Sequence, residues 1–182
     1  MVQQINDFVA LITPLVRDIA VLDTADIPFS EEVVKACERN ACGCYGKTWQ
    51  CPPGVGTLEE RIAVCRSYQT AIVFTTCHPL EDSFDIDGMH QGKIEHEKTT
   101  DRILEMLNAP LRKRFLAFSA EGCHLCETCT YPDAPCRFPQ KSRVSVEANG
   151  IFVVELARQC GIRYHNGSNT VTYFSMLLFG QK

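Results

Sequence analysis

The sequence predicts an α+β fold: a single domain over residues 1–182, in which a small mixed sheet with a β-α-β unit and a C-terminal hairpin carries packed helices and two cysteine-rich metal loops. Three observations predict it. The 182 residues suffice for one domain with a sizeable core and fall short of two ordinary ones, and a composition of 45% hydrophobic and 22% charged residues is that of a globular chain. Apolar patterns of helical period alternate with β-rich runs along the chain. Two stretches dense in cysteine and rich in glycine and proline, around 37–53 and 122–139, interrupt that alternation as loops.

From the N-terminus, Ile5, Phe8, Val9, Ile12, Leu15 and Val16 fall at helical spacing, with Pro14 bending or ending the helix. Residues 19–22 form a short strand. Ser30 is the N-cap of a helix reaching about Asn40, with Glu31 and Glu32 in the first turn, where the helix dipole favours negative charge. Cys37 lies in its last turn, so the first cysteine group starts on a helix and runs into a loop. Thr57-Leu58-Glu59-Glu60 is a capping box opening a helix through about Tyr68, with Leu58, Ile62 and Cys65 on one face and Cys65 therefore in the core. Residues 70–76 form a strand that ends at Cys77-His78-Pro79.

The acidic loop 81–88 contains Asp85-x-Asp87-Gly88 but lacks the later ligand positions of a calcium loop. Residues 93–108 are helical, Ile103, Leu104, Leu107 and Leu111 marking the buried face. His90 and His96 are not i,i+4 partners and read as surface histidines. Residues 115–119 form a buried strand that delivers the chain into Gly122 and the second cysteine group. Strand 70–76, helix 93–108 and strand 115–119 make a parallel β-α-β unit, placing that group and Cys77 beyond the carboxyl ends of its strands. After Pro139 a short helix ends near Gly150 and a second, 152–159, is closed by Gly161. Residues 162–164 and 170–174 flank Asn166-Gly167 as a hairpin, its last strand running on to Phe179.

Eleven cysteines is a high and odd number, and most fall in the two groups. The segment 1–20 has no basic n-region, and Asp7, Pro14, Arg17 and Asp18 interrupt its apolar residues, so no secretory signal is expected. No apolar run approaches the roughly 20 residues of a membrane span. The net charge of −4 gives no general attraction for nucleic acid or anionic membrane. The expectation is a cytoplasmic protein in a reducing compartment, where grouped cysteines are metal ligands in preference to disulfides.

The second group, Cys123-x2-Cys126-x2-Cys129, is the spacing by which one short loop grips three irons of a cubane cluster, and Cys136 is the local fourth ligand. In two-cluster ferredoxins the Cys-Pro cysteine serves the other cluster, and here that dipeptide is Cys51-Pro52, so Cys51 is an alternative fourth ligand. The first group, Cys37-x4-Cys42-x-Cys44-x6-Cys51, supplies four thiols, enough for a tetrathiolate site of its own. Cys77, at a strand end, is a further candidate. Zinc needs four ligands converging on one atom and commonly uses two distant C-x2-C knuckles, so the triplet favours a [4Fe–4S] cluster, one or two per chain, with zinc the alternative. Trp49 and Tyr45 either anchor the first loop or shield a cluster from water. Arg137, Lys141 and Arg143 either raise the potential of an anionic cluster and receive an acidic partner, or form a solvated flank.

Three segments together resemble a known family, the predicted metal-binding proteins called domain of unknown function 2284. They are Cys37 with Asn40-Ala41-Cys42-Gly43-x-Tyr45-Gly46-x-x-Trp49-x-Cys51-Pro52-Pro53, then Gly122-Cys123-x-x-Cys126-x-x-Cys129 with Cys136-Arg137-x-Pro139, then Ser145-x-Glu147-Ala148-x-Gly150-Ile151. The resemblance implies metal binding and names no activity. It also implies cysteine at Cys37, Cys42 and Cys51 but not necessarily at Cys44, leaving a fourth position to Cys77, water or a substrate. The function expected is an iron–sulfur protein in electron transfer or redox chemistry with a protein partner or small molecule. The rivals are a zinc-stabilised, non-catalytic binding protein and a redox enzyme with an open iron on a three-cysteine cluster. No Ser/His/Asp arrangement, phosphate loop or dinucleotide fingerprint is present.

Overall fold

The β-branched and aromatic run at 70–76 is the spine of the fold. In the computed structural model, which describes residues 2–113 and 115–180, it becomes β2 (Thr70–Pro79). One edge of β2 pairs with β1 (Asp18–Asp23) and the other with β4 (Thr170–Phe179), and β3 (Phe115–Phe118) lies outside β4. The pairings between these strands are antiparallel: Ile72 faces Val21 and Leu177, and Met176 faces Val73 and Phe118.

Helices cover both faces of this sheet. They are α1 (Val2–Ile12), α2 (Glu31–Glu38), α3 (Leu58–Arg66), α4 (Ile86–Glu105), α5 (Ala109–Arg112) and α6 (Val153–Cys160). The period-2 alternation of strands sends Ile72, Phe74, Leu177 and Phe179 to one face, under Ile5, Phe8 and Ile12 of α1 and Ile103 of α4. Val73, Phe174, Met176 and Leu178 point the other way, under Cys65 of α3 and Leu156 and Ala157 of α6. Each such side chain contributes about 1.5–3 kcal/mol on burial, which makes the sheet a rigid base for the loops at its end. The expected caps are in place. Ser30 Oγ accepts from the Glu32 N–H at 3.2 Å, and Thr57 and Glu60 form the reciprocal capping box. Among the described residues no helix is long and apolar enough to cross a membrane.

The α+β class holds, and its details differ from the expectation. The sheet is antiparallel instead of mixed. β2 and β3 do run in the same direction, joined through α4, but β4 is inserted between them, because its ten-residue strand is long enough to hydrogen-bond along a free edge of each. The C-terminal hairpin is absent for the same reason: residues 162–164 are not a strand, and 170–179 pairs with β2 and β3. Helix α4 begins at Ile86, seven residues before the expected start at 93, with Asp85 Oδ1 accepting from the Gly88 N–H at 2.8 Å, so the would-be calcium loop is a helix cap. The short helix near Gly150 is a single 3-10 turn, Glu147–Asn149. His96, expected on the surface, is fully buried, its ring nitrogens 2.8 Å from the hydroxyls of Thr76 and Ser175.

Candidate metal centre

Both cysteine groups lie on segments anchored to the sheet and its helices. The first begins at the end of α2, where Asn40 takes a left-handed turn (φ 54°) and its Oδ1 accepts from the Tyr45 N–H at 3.0 Å. The Gly46 N–H then donates to the Pro52 carbonyl at 2.8 Å and closes the loop. Cys37, Cys42, Cys44 and Cys51 thereby come to line one cavity of about 560 Å³, shared with Tyr45, His90, Glu121, His124 and Glu147.

The second group leaves β3 through Ser119, whose N–H donates to Val144 O while its carbonyl accepts from Val146, both at 2.9 Å. Glu121 turns the chain in the left-handed region (φ 57°) into Gly122. Beyond it, Thr130 Oγ1 donates to Pro135 O at 2.8 Å and Arg137 to Thr128 O at 2.7 Å, folding the loop on itself. Cys123, Cys126, Cys129 and Cys136 line a second, much smaller space of about 20 Å³, walled also by Thr48 and Trp49 from the first loop.

The two groups are one packed unit. A Cβ added at Gly122 would lie 2.5 Å from Cys44 Sγ and 3.6 Å from Cys51 Sγ, so the backbone entering the second group rests against the sulfurs of the first. Trp49 Nε1–H donates to Ala134 O at 3.0 Å, and its ring meets Tyr131 edge-on at 4.9 Å. Gln50 Nε2 donates to Ser142 Oγ at 2.9 Å.

The thiols differ in how readily they ionise. Burial pushes Cys37 and Cys44 up to about 11, reinforced for each by Cys42 and Cys51. Burial also raises Cys51 and Cys123. Burial would raise Cys129 too, but the N–H groups of Tyr131, Trp49 and Thr130 and the Arg137 guanidinium outweigh it, and its pKa is lowered. Metal binding must displace the protons of the raised thiols, so loading is expected to be pH-dependent.

Of the other residues singled out by sequence, Cys65 is in the core, its pKa pushed up to about 12 by burial. Cys77 is half-buried on β2 and lines neither cysteine cavity, and Cys160 packs beside the core on α6. All eleven cysteines are free. Arg143 is held by Glu97 and by Asp101 of α4, the latter at 2.7 Å, and Lys141 is exposed. Trp49 both anchors and covers the second group, and Tyr45 lines the first cavity. Sequence reasoning missed Lys93, Glu121 and Glu147 as neighbours of the thiols. Only Glu147 had a local signal, in the Ser145-x-Glu147-Ala148 segment. As placed, the ligand-type side chains surround these spaces without converging: among the described residues no three His, Cys, Asp or Glu side chains are disposed to hold a single metal ion. The donor set of each space is nonetheless four thiols, the chemistry of a tetrathiolate centre.

Residues 20–179 match the model of a family described as "predicted metal-binding protein (DUF2284)". No curated protein and no solved structure matches.

Proposed function

The chain belongs to this family of predicted metal-binding proteins, and on that premise we propose that it is an iron–sulfur protein of the cytoplasm, working in electron transfer or redox chemistry. Cys123, Cys126, Cys129 and Cys136 hold a [4Fe–4S] cluster, and Cys37, Cys42, Cys44 and Cys51 hold a second metal centre. A cluster bound there supplies one-electron redox chemistry. The chain's own residues supply the thiolates, the N–H donors that stabilise them and the Trp49 cover.

The observation that carries this reading is that the C-x2-C-x2-C triplet and Cys136 line one space, walled by Trp49. Hydrogen bonds to cluster sulfurs and exclusion of water are what tune such centres. The cavity of about 560 Å³ beside the first group is of a size to admit a small molecule, which supports a small-molecule reactant there over a protein partner alone. Anaerobic purification followed by iron, sulfide and zinc analysis with an absorbance scan tests the proposal. Brown protein with iron and acid-labile sulfide is expected; colourless protein with stoichiometric zinc would overturn it in favour of a zinc-stabilised binding protein.

A further inference from the structure

Helix α4 buries a lysine beside the cysteines. Only 7% of the Lys93 side chain is exposed, and removing an ammonium from water is strongly unfavourable unless charge and hydrogen bonds replace the solvent. Within the chain that replacement is thin. Nζ donates one hydrogen bond, 2.9 Å long, to the Gly122 carbonyl. The carboxylate paired with it, Glu121, is 3.7 Å away and 51% exposed. An ammonium has three N–H donors to satisfy. Other cations near this place are committed or solvated: Arg143 is tied to Glu97 and Asp101, and Lys98 to Glu95 with 65% of its side chain exposed.

The peptide that Lys93 holds is the one that joins the two cysteine groups. The Gly122–Cys123 peptide lies between Lys93 and the first group: its carbonyl accepts from Nζ, and a Cβ added at Gly122 would lie 3.6 Å from Cys51 Sγ. An ammonium in this place acts on the neighbouring sulfurs through its field. Cys44 Sγ rests against Gly122, and Cys123 shares a cavity wall with Lys93. A tetrathiolate centre is anionic whether it carries a cubane or zinc, and would provide the charge that Lys93 lacks in the bare chain.

We propose that Lys93 is the positioning residue of the paired centres: it holds the Gly122–Cys123 peptide between the two cysteine groups and offsets their negative charge, raising the reduction potential of the centre to which Cys51 belongs. This rests on the reading that the cysteines hold metal. Lys93→Met keeps the apolar stem and removes the charge, Lys93→Arg keeps the charge, and Lys98→Met controls for charge on the exposed flank of the same helix. Redox titration of the loaded proteins, followed by EPR, reads the effect. In Lys93→Met the oxidised-to-reduced ratio at a fixed potential should rise about tenfold, a midpoint about 59 mV lower for a one-electron couple. Lys93→Arg should recover part of the shift, and Lys98→Met should leave the midpoint unchanged.

A wild-type midpoint in Lys93→Met, or an equal shift in Lys98→Met, overturns the proposal. A preparation holding zinc without sulfide overturns the iron–sulfur reading alone. The same proteins then go to chelator competition, where zinc retention about tenfold weaker in Lys93→Met is expected and equal retention overturns the role of Lys93. Should the Met variant not fold, Lys93→Gln, which can still donate to Gly122 without the charge, is measured and judged by the same outcomes.

Discussion

Replacing Gly122 with alanine adds one methyl group at the place where the two cysteine groups touch. The new Cβ would lie 2.5 Å from Cys44 Sγ, 3.1 Å from Cys44 Cβ and 3.6 Å from Cys51 Sγ. The first separation is far inside van der Waals contact and the second is tight, so Cys44 must swing away or the Gly122 backbone must retreat. Overpacking of this kind costs about 1–3 kcal/mol, and at about 2–4 °C per kcal/mol for a chain of this size the melting temperature should fall by about 2–12 °C. The chemical effect is local. The displaced sulfur belongs to the first group, so Gly122→Ala should deplete the metal held by Cys37, Cys42, Cys44 and Cys51 and spare the second centre. Gly161→Ala is the control: Gly161 ends α6 outside both cysteine groups, with φ 65° and nothing within 4 Å of an added Cβ. It should cost about 1–2 kcal/mol of backbone strain and leave metal content intact. The assay is metal content per chain together with thermal melting. A Gly122→Ala protein with full metal content and unchanged melting would refute the contact between the groups.

Other substitutions separate the cysteines by role. Cys77→Ser and Cys65→Ala should leave metal content unchanged, since neither thiol lines a cysteine cavity, and metal analysis of both variants checks this. Trp49→Ala removes the indole bond to Ala134 and the Tyr131 contact; the aromatic pair alone is worth about 0.5–1.5 kcal/mol. It should also speed bleaching of the second centre by oxygen, measured as loss of visible absorbance. His96 gives a pH dependence apart from the metal. Burial, with smaller effects of His78 and Arg143, pushes its pKa down to about 3 from 6.5. The unfolded chain therefore binds a proton that the folded chain refuses, so this contribution is fully present above about pH 6.5 and is lost as pH falls, by about 1.4 kcal/mol per unit. Denaturant unfolding of wild type and His96→Gln between pH 7 and 5 should show a steeper loss in wild type, and parallel curves would contradict the buried neutral imidazole.

What could be read from sequence was what neighbouring residues decide among themselves. Ser30 and the Thr57–Glu60 box cap their helices because the bonds span two or three residues. The cysteine groups were visible because each sits on one short loop. Strand order was not, since the insertion of β4 between β2 and β3 depends on edges far apart in the chain. The burial of His96 was hidden by chemistry. Helix α4 buries Gly92, Lys93, His96, Thr100 and Ile103 at helical spacing, and a stripe that is polar over most of its length resembles a solvated face. Its polarity has two uses: His96 and Thr100 bond to the sheet through Thr76 and Ser175, and Lys93 bonds to the segment between the cysteine groups. Neither partner is near in sequence.

The most direct test of the central claim is the difference in iron and acid-labile sulfide per chain between wild type and Cys126→Ser, both purified anaerobically. The variant should stay folded and lack the iron and sulfide of one cubane, while metal at the first group persists. Equal iron and sulfide in the two proteins, or zinc without sulfide in wild type, would contradict that claim.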